Sequence, residues 1–464
     1  LGLNNTSGRI VVNAQNFALN AGALTNTSGL IGHAGPGLLE IDANSLDNTK
    51  GKTIGNGAVQ ITTSGNTNNA NGLISTQENM TSSADGITNS QGLIQAKENL
   101  DISLSGTHNS LQNTLGQIIA GREAHLNTGV FDNAQGLVVA VSNLQIDTHD
   151  QTLKNQGTRS TDPHAPLNGL IAGDQLSIQS GAVDNQSGLI HAQGGLALTS
   201  TGVVNNSALA GTSGQIYSAG QLTVQATGLN NTGSQMLAVR NMNADVSSGT
   251  IDNSHALMRT GQTLTLKAGT ITNASTLATS SDGTLAPTVL EGQNMVLSAN
   301  IIDNTQGAIR TVQKLSIQSN GQLNNDRGLV VADQSVAVRA GSLSGAGQIV
   351  SQGDVSLSLQ GHHTLAGTLQ AGGDLQLQTT GTLTNPVAVQ AGKNLRITAG
   401  SLDNQANGQL ISGQTTTIQI DDTLANRGLI DAADTRIQTN TLNNVGAGRI
   451  YGDRVAIAAR TLNN

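Results

Sequence analysis

Residues 86–106, which read GITNSQGLIQAKENLDISLSG, contain three short runs in which apolar and polar residues alternate. The runs are Ile87–Asn89, Ile94–Ala96 and Leu100–Leu104. Alternation with a period of two indicates half-buried β-strands, and the Gly and polar residues between the runs are typical of turns. The stretch predicts one coil of three short strands, because neither the apolar spacing nor the β-branched content suits a helix.

The same pattern returns along the chain as a motif in which Leu, or another apolar residue, is followed two positions later by Asn. Successive copies are separated by roughly 20 to 22 residues, a period typical of solenoids. Gly345 and Gly367 are interpreted as variants that replace the Asn, and the last copy ends at Asn464. The motif residues are Asn5, Asn26, Asn48, Asn89, Asn133, Asn155, Asn185, Asn253, Asn304, Asn325, Asn404 and Asn444.

A single coil can neither bury its inner face nor pair its backbone, whereas stacked coils do both. The repeat therefore predicts an all-β fold, a parallel β-helix of about 21 coils that forms one continuous domain over residues 1–464. Two structural roles are open for the motif Asn. Its amide could point inward at a corner and stack on its neighbours, or the residue could hold a left-handed turn conformation, which Asn tolerates.

The composition fits a narrow aliphatic core. The 464 residues include 57 Gly, two Phe, two Tyr, no Trp and no Cys. Disorder is excluded because the aliphatic residues are periodic and the net charge of -8 is small for this length. Without a cluster of Lys and Arg we expect no nucleic-acid partner, and without a long apolar stretch we expect no membrane insertion by this segment. The lack of Cys excludes disulfides and is compatible with export of an unfolded chain.

Two coils carry long insertions, near residues 156–168 and 274–290, and a shorter insertion surrounds residues 208–212. Three of the five Pro lie in the long insertions, which marks them as loops. Because each insertion follows a motif Asn, all three are predicted to leave the helix at the same corner. Loops on a rigid scaffold often carry recognition, although solenoid corners also tolerate insertions that have no function. The candidate contact residues are Arg159, Asp162, His164 and Asp282.

An irregular zone spans residues 342–381, where Gly replaces the motif Asn and His362 and His363 interrupt the pattern. Paired His can bind a metal, but no Cys, Asp or Glu cluster accompanies them. A solvated turn is the favoured interpretation, as it is for the isolated acidic pair Asp421 and Asp422.

Some parallel β-helices cleave acidic polysaccharides, so catalysis is an alternative function. Such a site needs acidic and basic residues that converge on one outer face over adjacent coils. The sequence shows no such cluster, no hydrolase, zinc, phosphate-loop or dinucleotide motif, and almost no aromatic residues to stack on sugars. We therefore expect no catalytic residue, no cofactor and no metal, and a polysaccharide-degrading enzyme is the least favoured alternative.

Two stretches carry a family resemblance: residues 181–192, GAVDNQSGLIHA, and residues 400–404, GSLDN. They resemble the filamentous haemagglutinin repeats of very large bacterial exoproteins, and the similarity extends over essentially the whole chain. These exoproteins form the two-partner secretion family, which includes filamentous haemagglutinin adhesins and contact-dependent growth inhibition effectors.

The resemblance implies a right-handed β-helix that is exported unfolded through an outer-membrane β-barrel transporter and displayed at the surface of a Gram-negative cell. It also implies a receptor on a host cell or on a neighbouring bacterium. The family's Asn-Pro-Asn secretion element and its Val-Glu-Asn-Asn element before a toxin domain are absent, and both ends lie within repeats. We expect a piece of a longer filament that serves as a non-catalytic rigid stalk; the alternative is an adhesive segment that binds a receptor through its loops.

Overall fold

The structure, a computed structural model, describes residues 1–106, 109–160, 162, 167–277 and 288–464. These residues form parallel β-strands joined by turns and loops, and none of them is helical. The chain consists of two compact units, Leu1–Arg240 and Asn241–Asn464, here called the N-terminal and C-terminal units. Each is a β-solenoid, with about 22 turns in the two together, consistent with the predicted right-handed β-helix. One continuous domain over residues 1–464 stays a prediction.

Three strands make up a typical coil, as the alternation predicts. The first side of the coil is Leu93–Ala96, the second is Leu100–Leu104 and the third is Ser110–Gln112. Inward and outward residues alternate along each strand because the side-chain period of a strand is two. In some coils the second and third sides join into one long strand, such as Lys314–Asn324.

The strands of the N-terminal unit follow this order of sides. Its first sides are Arg9–Val12, Leu30–His33, Lys52–Gly55, Leu73–Thr76, Leu93–Ala96, Gln117–Ala120, Leu137–Ala140, Gly169–Ala172, Leu189–Ala192, Gln215–Ser218 and Gln235–Ala238. Its second sides are Val59–Thr63, Met80–Ala84, Leu100–Leu104, Ala124–Asn127, Leu144–Asp147, Leu176–Ser180, Leu196–Ser200 and Leu222–Gln225. Its third sides are Leu3–Asn4, Asn66–Asn68, Gly86–Thr88, Ser110–Gln112, Val130–Asp132, Leu153–Lys154, Val183–Asp184, Val203–Asn205 and Gly228–Asn230. Joined second and third sides are Phe17–Thr25 and Leu39–Asp47.

The C-terminal unit repeats the arrangement with more joined strands. Its first sides are Leu257–Thr260, Val289–Gly292, Ala308–Thr311, Leu329–Ala332, Gln348–Ser351, Thr368–Ala371, Ala388–Ala391, Gln409–Ser412, Leu429–Asp431 and Arg449–Tyr451. Its second sides are Met242–Asp245, Thr263–Lys267, Asp354–Leu359, Leu375–Thr379, Leu395–Ala399 and Thr415–Ile420. Its third sides are Thr250–Asp252, Thr270–Thr272, His363–Thr364, Thr382–Asn385, Ser401–Asn404 and Thr423–Asn426. Joined strands are Asn294–Asp303, Lys314–Asn324, Ser335–Ser344, Asp434–Asn444 and Arg454–Asn463.

Aliphatic columns form the core of each unit. Ile94 pairs in parallel with Ile74 of the preceding coil and with Ile118 of the following coil, and all three side chains are at most 2% exposed. Burying one such side chain contributes about 1.5–3 kcal/mol relative to leaving it in water. The columns of equivalent aliphatic residues that the alternation predicts are confirmed.

Candidate functional site

A buried ladder of Asn side chains follows the corner between the third side of one coil and the first side of the next. The Nδ2 group of Asn89 donates to Oδ1 of Asn113 at 2.7 Å and to the main-chain oxygen of Gln117 at 3.0 Å. Its Oδ1 accepts from Nδ2 of Asn69 at 2.7 Å. All three Asn are fully buried. Each amide therefore has partners for both N–H groups and for its oxygen, which a buried polar group requires.

The ladder runs from Asn5 to Asn231 in the N-terminal unit. In the C-terminal unit it forms two runs, from Asn253 to Asn325 and from Asn385 to Asn464. All motif Asn named from the sequence lie in it. Its further members are Asn69, Asn113, Asn206, Asn231, Asn273, Asn385 and Asn426, besides Asn464 of the last copy. Counting about 20 residues from each named copy locates them; at Asn69 the apolar partner is replaced by Thr67, which hides the motif.

The left-handed position of the corner belongs to the residue two places after the ladder Asn. Gln91 has φ 55°, Leu115 has φ 55° and Ser187 has φ 50°. No ladder Asn is among the described residues with positive φ. Of the two roles open from the sequence, the structure therefore shows the inward, stacked amide.

Gly three places after the ladder Asn gives the amide column its space. A Cβ atom added at Gly92 would lie 2.2 Å from the main-chain oxygen of Asn69 and 2.6 Å from Oδ1 of Asn89. Real Cβ atoms do not approach other atoms so closely, so a side chain here would displace the ladder. At Gly92 it is thus close approach, not backbone conformation, that excludes a side chain.

Where the first long insertion leaves the corner, Thr replaces this Gly. Thr158 follows Asn155 by three residues, is buried, and its Oγ1 accepts from the main-chain N–H of Leu189 at 2.8 Å. Across this long coil, Asn155 still donates to Oδ1 of Asn185 at 2.7 Å. The insertion therefore leaves the ladder intact.

The candidate contact residues differ in what the structure shows of them. Nη1 of Arg159 donates to the main-chain oxygen of Ser213 at 2.9 Å, and burial lowers the pKa of this guanidinium. Arg159 thus fastens the first insertion to the region of the shorter one. Asp162 is exposed. His164 and Asp282 lie outside the described residues.

A second ladder of polar side chains follows the turn between the first and second sides. Oδ1 of Asn79 accepts from the main-chain N–H of Asn99 at 3.1 Å, and Oδ1 of Asn99 accepts from that of Glu123 at 3.3 Å. The next coils continue it, because Nδ2 of Asn143 donates to Glu123 and Oδ1 of Asn143 accepts from the N–H of Gln175. These residues were not predicted from the sequence. Their signal is a recurring Asn, Gln or Glu directly before the first buried residue of each second-side strand.

The irregular zone differs from the sequence prediction at Gly367. Register pairs Thr364 with Thr384, which places Leu365, not Gly367, opposite ladder residue Asn385. Gly367 lies directly before a first-side strand, in line with Gly347, because Gln348 pairs with Thr368. Assigning Gly367 to the motif position was therefore wrong, since a glycine of the turn was taken for one of the ladder.

The prediction of a solvated turn at His362 and His363 was wrong for His363. That residue is 7% exposed and pairs with Leu383, so it occupies the apolar position of the motif. Its Nε2 accepts from the main-chain N–H of Leu343 at 3.0 Å, and its Nδ1 lies 3.2 Å from the oxygen of His362. Because Leu343 supplies the proton, Nε2 must be unprotonated and Nδ1–H donates. His362 is exposed, and its Nδ1 accepts from the N–H of Thr382 at 3.1 Å.

The ladder is interrupted where Gly345 and Leu365 take the Asn positions. A cavity of about 30 Å³ lies there, lined by residues that include Asn325, Gly345 and Leu365. This volume suffices for about one water molecule. The gap is the only interruption of the Asn ladder within the described part of the C-terminal unit.

The carboxylates with perturbed pKa have local partners. The hydrogen bond from Arg436 lowers the pKa of Asp434, and that from Lys267 lowers the pKa of Asp245. Asp421 and Asp422 are exposed in a turn after a second-side strand. Among the described residues, no group of three or more His, Asp or Glu is arranged to hold a metal ion.

Comparisons with known proteins agree with this architecture. The family model described as haemagglutinin repeat matches residues 1–39, 34–69, 56–109, 106–157, 165–209, 204–255, 243–286, 288–358, 328–385 and 386–463. No curated protein and no solved structure matches the chain significantly. In the part of the chain that the structure describes, no helix has the length and apolarity to span a membrane.

Proposed function

Because the chain belongs to the haemagglutinin repeat family, we propose that it is a non-catalytic, rigid stalk of a secreted exoprotein displayed on a Gram-negative cell. The stalk holds adhesive or toxin-delivering regions away from that cell. The observation that carries the proposal is the buried Asn ladder. It adds a side-chain hydrogen bond between successive coils to the parallel backbone pairing and the aliphatic columns.

Stiffness is the physical property that a stalk needs, and the ladder supports it. Bending a coil away from its neighbour would break backbone hydrogen bonds and leave buried amides without partners, which costs about 1–3 kcal/mol for each unsatisfied group. Because the ladder occupies a corner and the aliphatic columns fill the interior, each coil resists displacement in more than one direction.

A distance measurement tests the stiffness. The pairing register of the second side aligns one column of residues along the N-terminal unit. The column consists of Gln60, Thr81, Asp101, His125, Gln145, Ser177, Ala197 and Thr223. Spin labels on the double variant Gln60→Cys and Thr223→Cys span seven rungs, or about 34 Å at about 4.8 Å per rung. Pulsed electron resonance should give one narrow distance. A broad distribution at native pH would contradict a rigid stalk.

Cell binding tests the stalk role. A purified stalk segment should bind neither host epithelial cells nor Gram-negative bacteria above the level of a protein without a receptor. The same chain fused to a module of known binding specificity controls for detection. Strong, saturable binding by the chain alone would replace this proposal with the adhesive one.

The export partner proposed from the family is an outer-membrane β-barrel transporter. The absence of Cys supports this, because no disulfide can form before export and hinder passage of an unfolded chain. Deleting this transporter should keep the exoprotein inside the cell, and restoring the transporter should return it to the surface.

A second candidate function, direct adhesion to a receptor on a host or neighbouring cell, is favoured by the loops. The described parts of two insertions expose apolar side chains, with Leu167 72% and Leu209 47% exposed. Deleting residues 159–166 should abolish cell binding if this loop is adhesive. A matched deletion in the other long insertion, residues 279–286, separates a role of one loop from a general effect of shortening.

A further inference from the structure

The outer face of the first side carries an apolar stripe in the N-terminal unit. Pairing register places the third residues of successive strands in one column, and each of them is partly exposed. The stripe consists of Ile119, Val139, Ile171, His191, Tyr217 and Leu237. Outward positions of a solenoid contact water, so an unbroken apolar column there requires an explanation.

Two further features strengthen the apolar character of this stripe. The rings of His191 and Tyr217 stack with centroids 4.7 Å apart and an interplanar angle of 16°. Burial lowers the pKa of His191, so the ring is uncharged at neutral pH. Beside the column, Val141 is 63% and Val239 is 53% exposed, which widens the apolar surface.

Charge sets this face apart. No Asp, Glu, Lys or Arg occurs in the first-side strands from Leu73–Thr76 to Gln235–Ala238. In the C-terminal unit the same column holds Arg259, Glu291 and Arg310, and Nε of Arg259 lies 2.6 Å from Oε2 of Glu291. Three successive first-side strands at the start of the C-terminal unit thus carry charged residues at the strand position that is uncharged from Ser75 to Leu237 in the N-terminal unit.

We propose that the uncharged face formed by the eight first-side strands from Leu73–Thr76 to Gln235–Ala238 joins two copies of this chain in an antiparallel, two-fold arrangement. Each chain carries a net charge of -8, so copies approach with least repulsion where the surface is uncharged. A second copy also has the same rung spacing of about 4.8 Å, so that the side chains of two stripes interdigitate along their whole length. A two-fold axis pairs the same patch on both copies, which closes the assembly at a dimer.

The size of the face sets the strength of the association. Seven rung spacings give a length of about 34 Å, and five residues give a width of about 16 Å. Two copies would bury about 1,100 Å² in total, close to the lower limit for a specific interface. The dissociation constant is therefore expected to be micromolar or weaker.

Sedimentation velocity of the full chain from about 1 to 500 µM tests the proposal. The wild type should shift from a mass of 47.1 kDa toward twice that value as concentration rises. Ile171→Glu should remain monomeric, since it places a carboxylate at the centre of the stripe. The matched control is Val331→Glu, at the same strand position in the C-terminal unit beside Arg310, which should dimerise like the wild type.

A wild type that stays monomeric at 500 µM overturns the proposal, and so does Ile171→Glu associating as strongly as the wild type. Circular dichroism and thermal unfolding of both Glu variants show whether the fold is kept. If Ile171→Glu unfolds, Tyr217→Ser on the same stripe supplies the comparison, and its dimerisation should be weakened at least several-fold.

Cross-linking tests the antiparallel geometry. Because the chain has no Cys, a single introduced Cys reports on its own counterpart alone. Ile171 lies near the middle of the stripe, where a two-fold axis brings the two copies of one residue together. Ile171→Cys should oxidise to a covalent dimer much faster than Val331→Cys. Equal rates would overturn the antiparallel arrangement.

Discussion

The main-chain N–H of Leu189 donates to Oγ1 of Thr158 at 2.8 Å, and this bond closes the corner from which the first long insertion departs. In regular coils the equivalent N–H donates to a Gly carbonyl, as Leu93 does to Gly72 at 2.9 Å. The C-terminal unit has the same substitution, since the N–H of Ala308 donates to Oγ1 of Thr276 at 2.8 Å. A Thr hydroxyl thus replaces the carbonyl that the insertion carries away.

Replacing Thr158 by Val should destabilise the N-terminal unit by about 1–3 kcal/mol, because the buried N–H of Leu189 loses its acceptor while the shape of the side chain is kept. Urea unfolding measures the change. Thr158→Ser retains the hydroxyl and is the control, with an expected loss below about 1 kcal/mol. A loss for Thr158→Val no larger than that for Thr158→Ser would contradict the role assigned to the hydroxyl.

Removing one Asn of the ladder should lower the free energy of unfolding by more than Thr158→Val does. Asn113→Ala deprives Asn89 of an acceptor and Asn133 of a donor partner, so we expect a loss of about 2–4 kcal/mol. The control is Asn127→Ala, at an exposed position of a neighbouring strand. Hydrogen exchange should show faster exchange around residues 89–133 in the ladder variant. A loss no greater than that of the control would disprove a stabilising role of the ladder.

Gly92, at a ladder corner, should not tolerate a methyl group. Gly92→Ala places Cβ 2.2 Å from the oxygen of Asn69 and should cost about 1–3 kcal/mol through overpacking. Gly32→Ala is the matched control, because its Cβ would lie 3.4 Å from Cγ2 of Val11, its nearest neighbour. Differential scanning calorimetry should show a lower Tm for Gly92→Ala alone. Similar Tm values in the two variants would refute the close-approach explanation.

Acid should weaken the coil that contains His363. Burial lowers the pKa of this ring, opposed by its hydrogen bond to His362, and protonation at Nε2 would end its acceptance of the Leu343 N–H. Because the pKa is lower in the folded state, the unfolded chain binds more protons as the pH falls. The stability contribution is therefore complete above about pH 6.5, the ordinary value for His, and declines as the pH falls toward the folded-state pKa.

The variant His363→Gln isolates this effect, since an amide oxygen accepts the same hydrogen bond without titrating. Urea unfolding between pH 7.5 and 5 should show a steeper loss of stability for the wild type than for His363→Gln. The difference between the two slopes removes the contribution of His191, whose pKa is also lowered by burial. Parallel slopes would contradict the prediction.

The coil architecture could be predicted from sequence because each coil repeats the same inward and outward alternation. Ile94 and its partners reveal the columns with no knowledge of tertiary contacts. The inward orientation of the Asn could not be decided in this way, since a buried amide and a left-handed turn both favour Asn. Only the geometry shows that the left-handed position falls two residues later, where Gln91, Leu115 and Ser187 occur without a common side-chain type.

The irregular zone was misassigned for a physical reason. At residues 363–365 the motif is reversed in polarity, with His363 at the apolar position and Leu365 at the Asn position. The pattern of Leu followed two positions later by Asn does not occur in this coil, and the nearest Gly, Gly367, was therefore assigned to the Asn position. The Arg159 contact with Ser213 was likewise beyond sequence analysis, because it joins residues more than two coils of sequence apart.

The reversed coil has a consequence for how the chain finds its alignment. Nearly identical coils offer many false neighbours to a growing stack, and most mismatches by one whole coil would still place Asn on Asn. A mismatch involving residues 345 and 365 is different, because native stacking keeps these two non-amide positions on adjacent coils, and separating them would leave additional ladder amides without a partner. This coil therefore favours the correct alignment of coils in the C-terminal unit, because a misaligned stack would lose side-chain hydrogen bonds of the ladder.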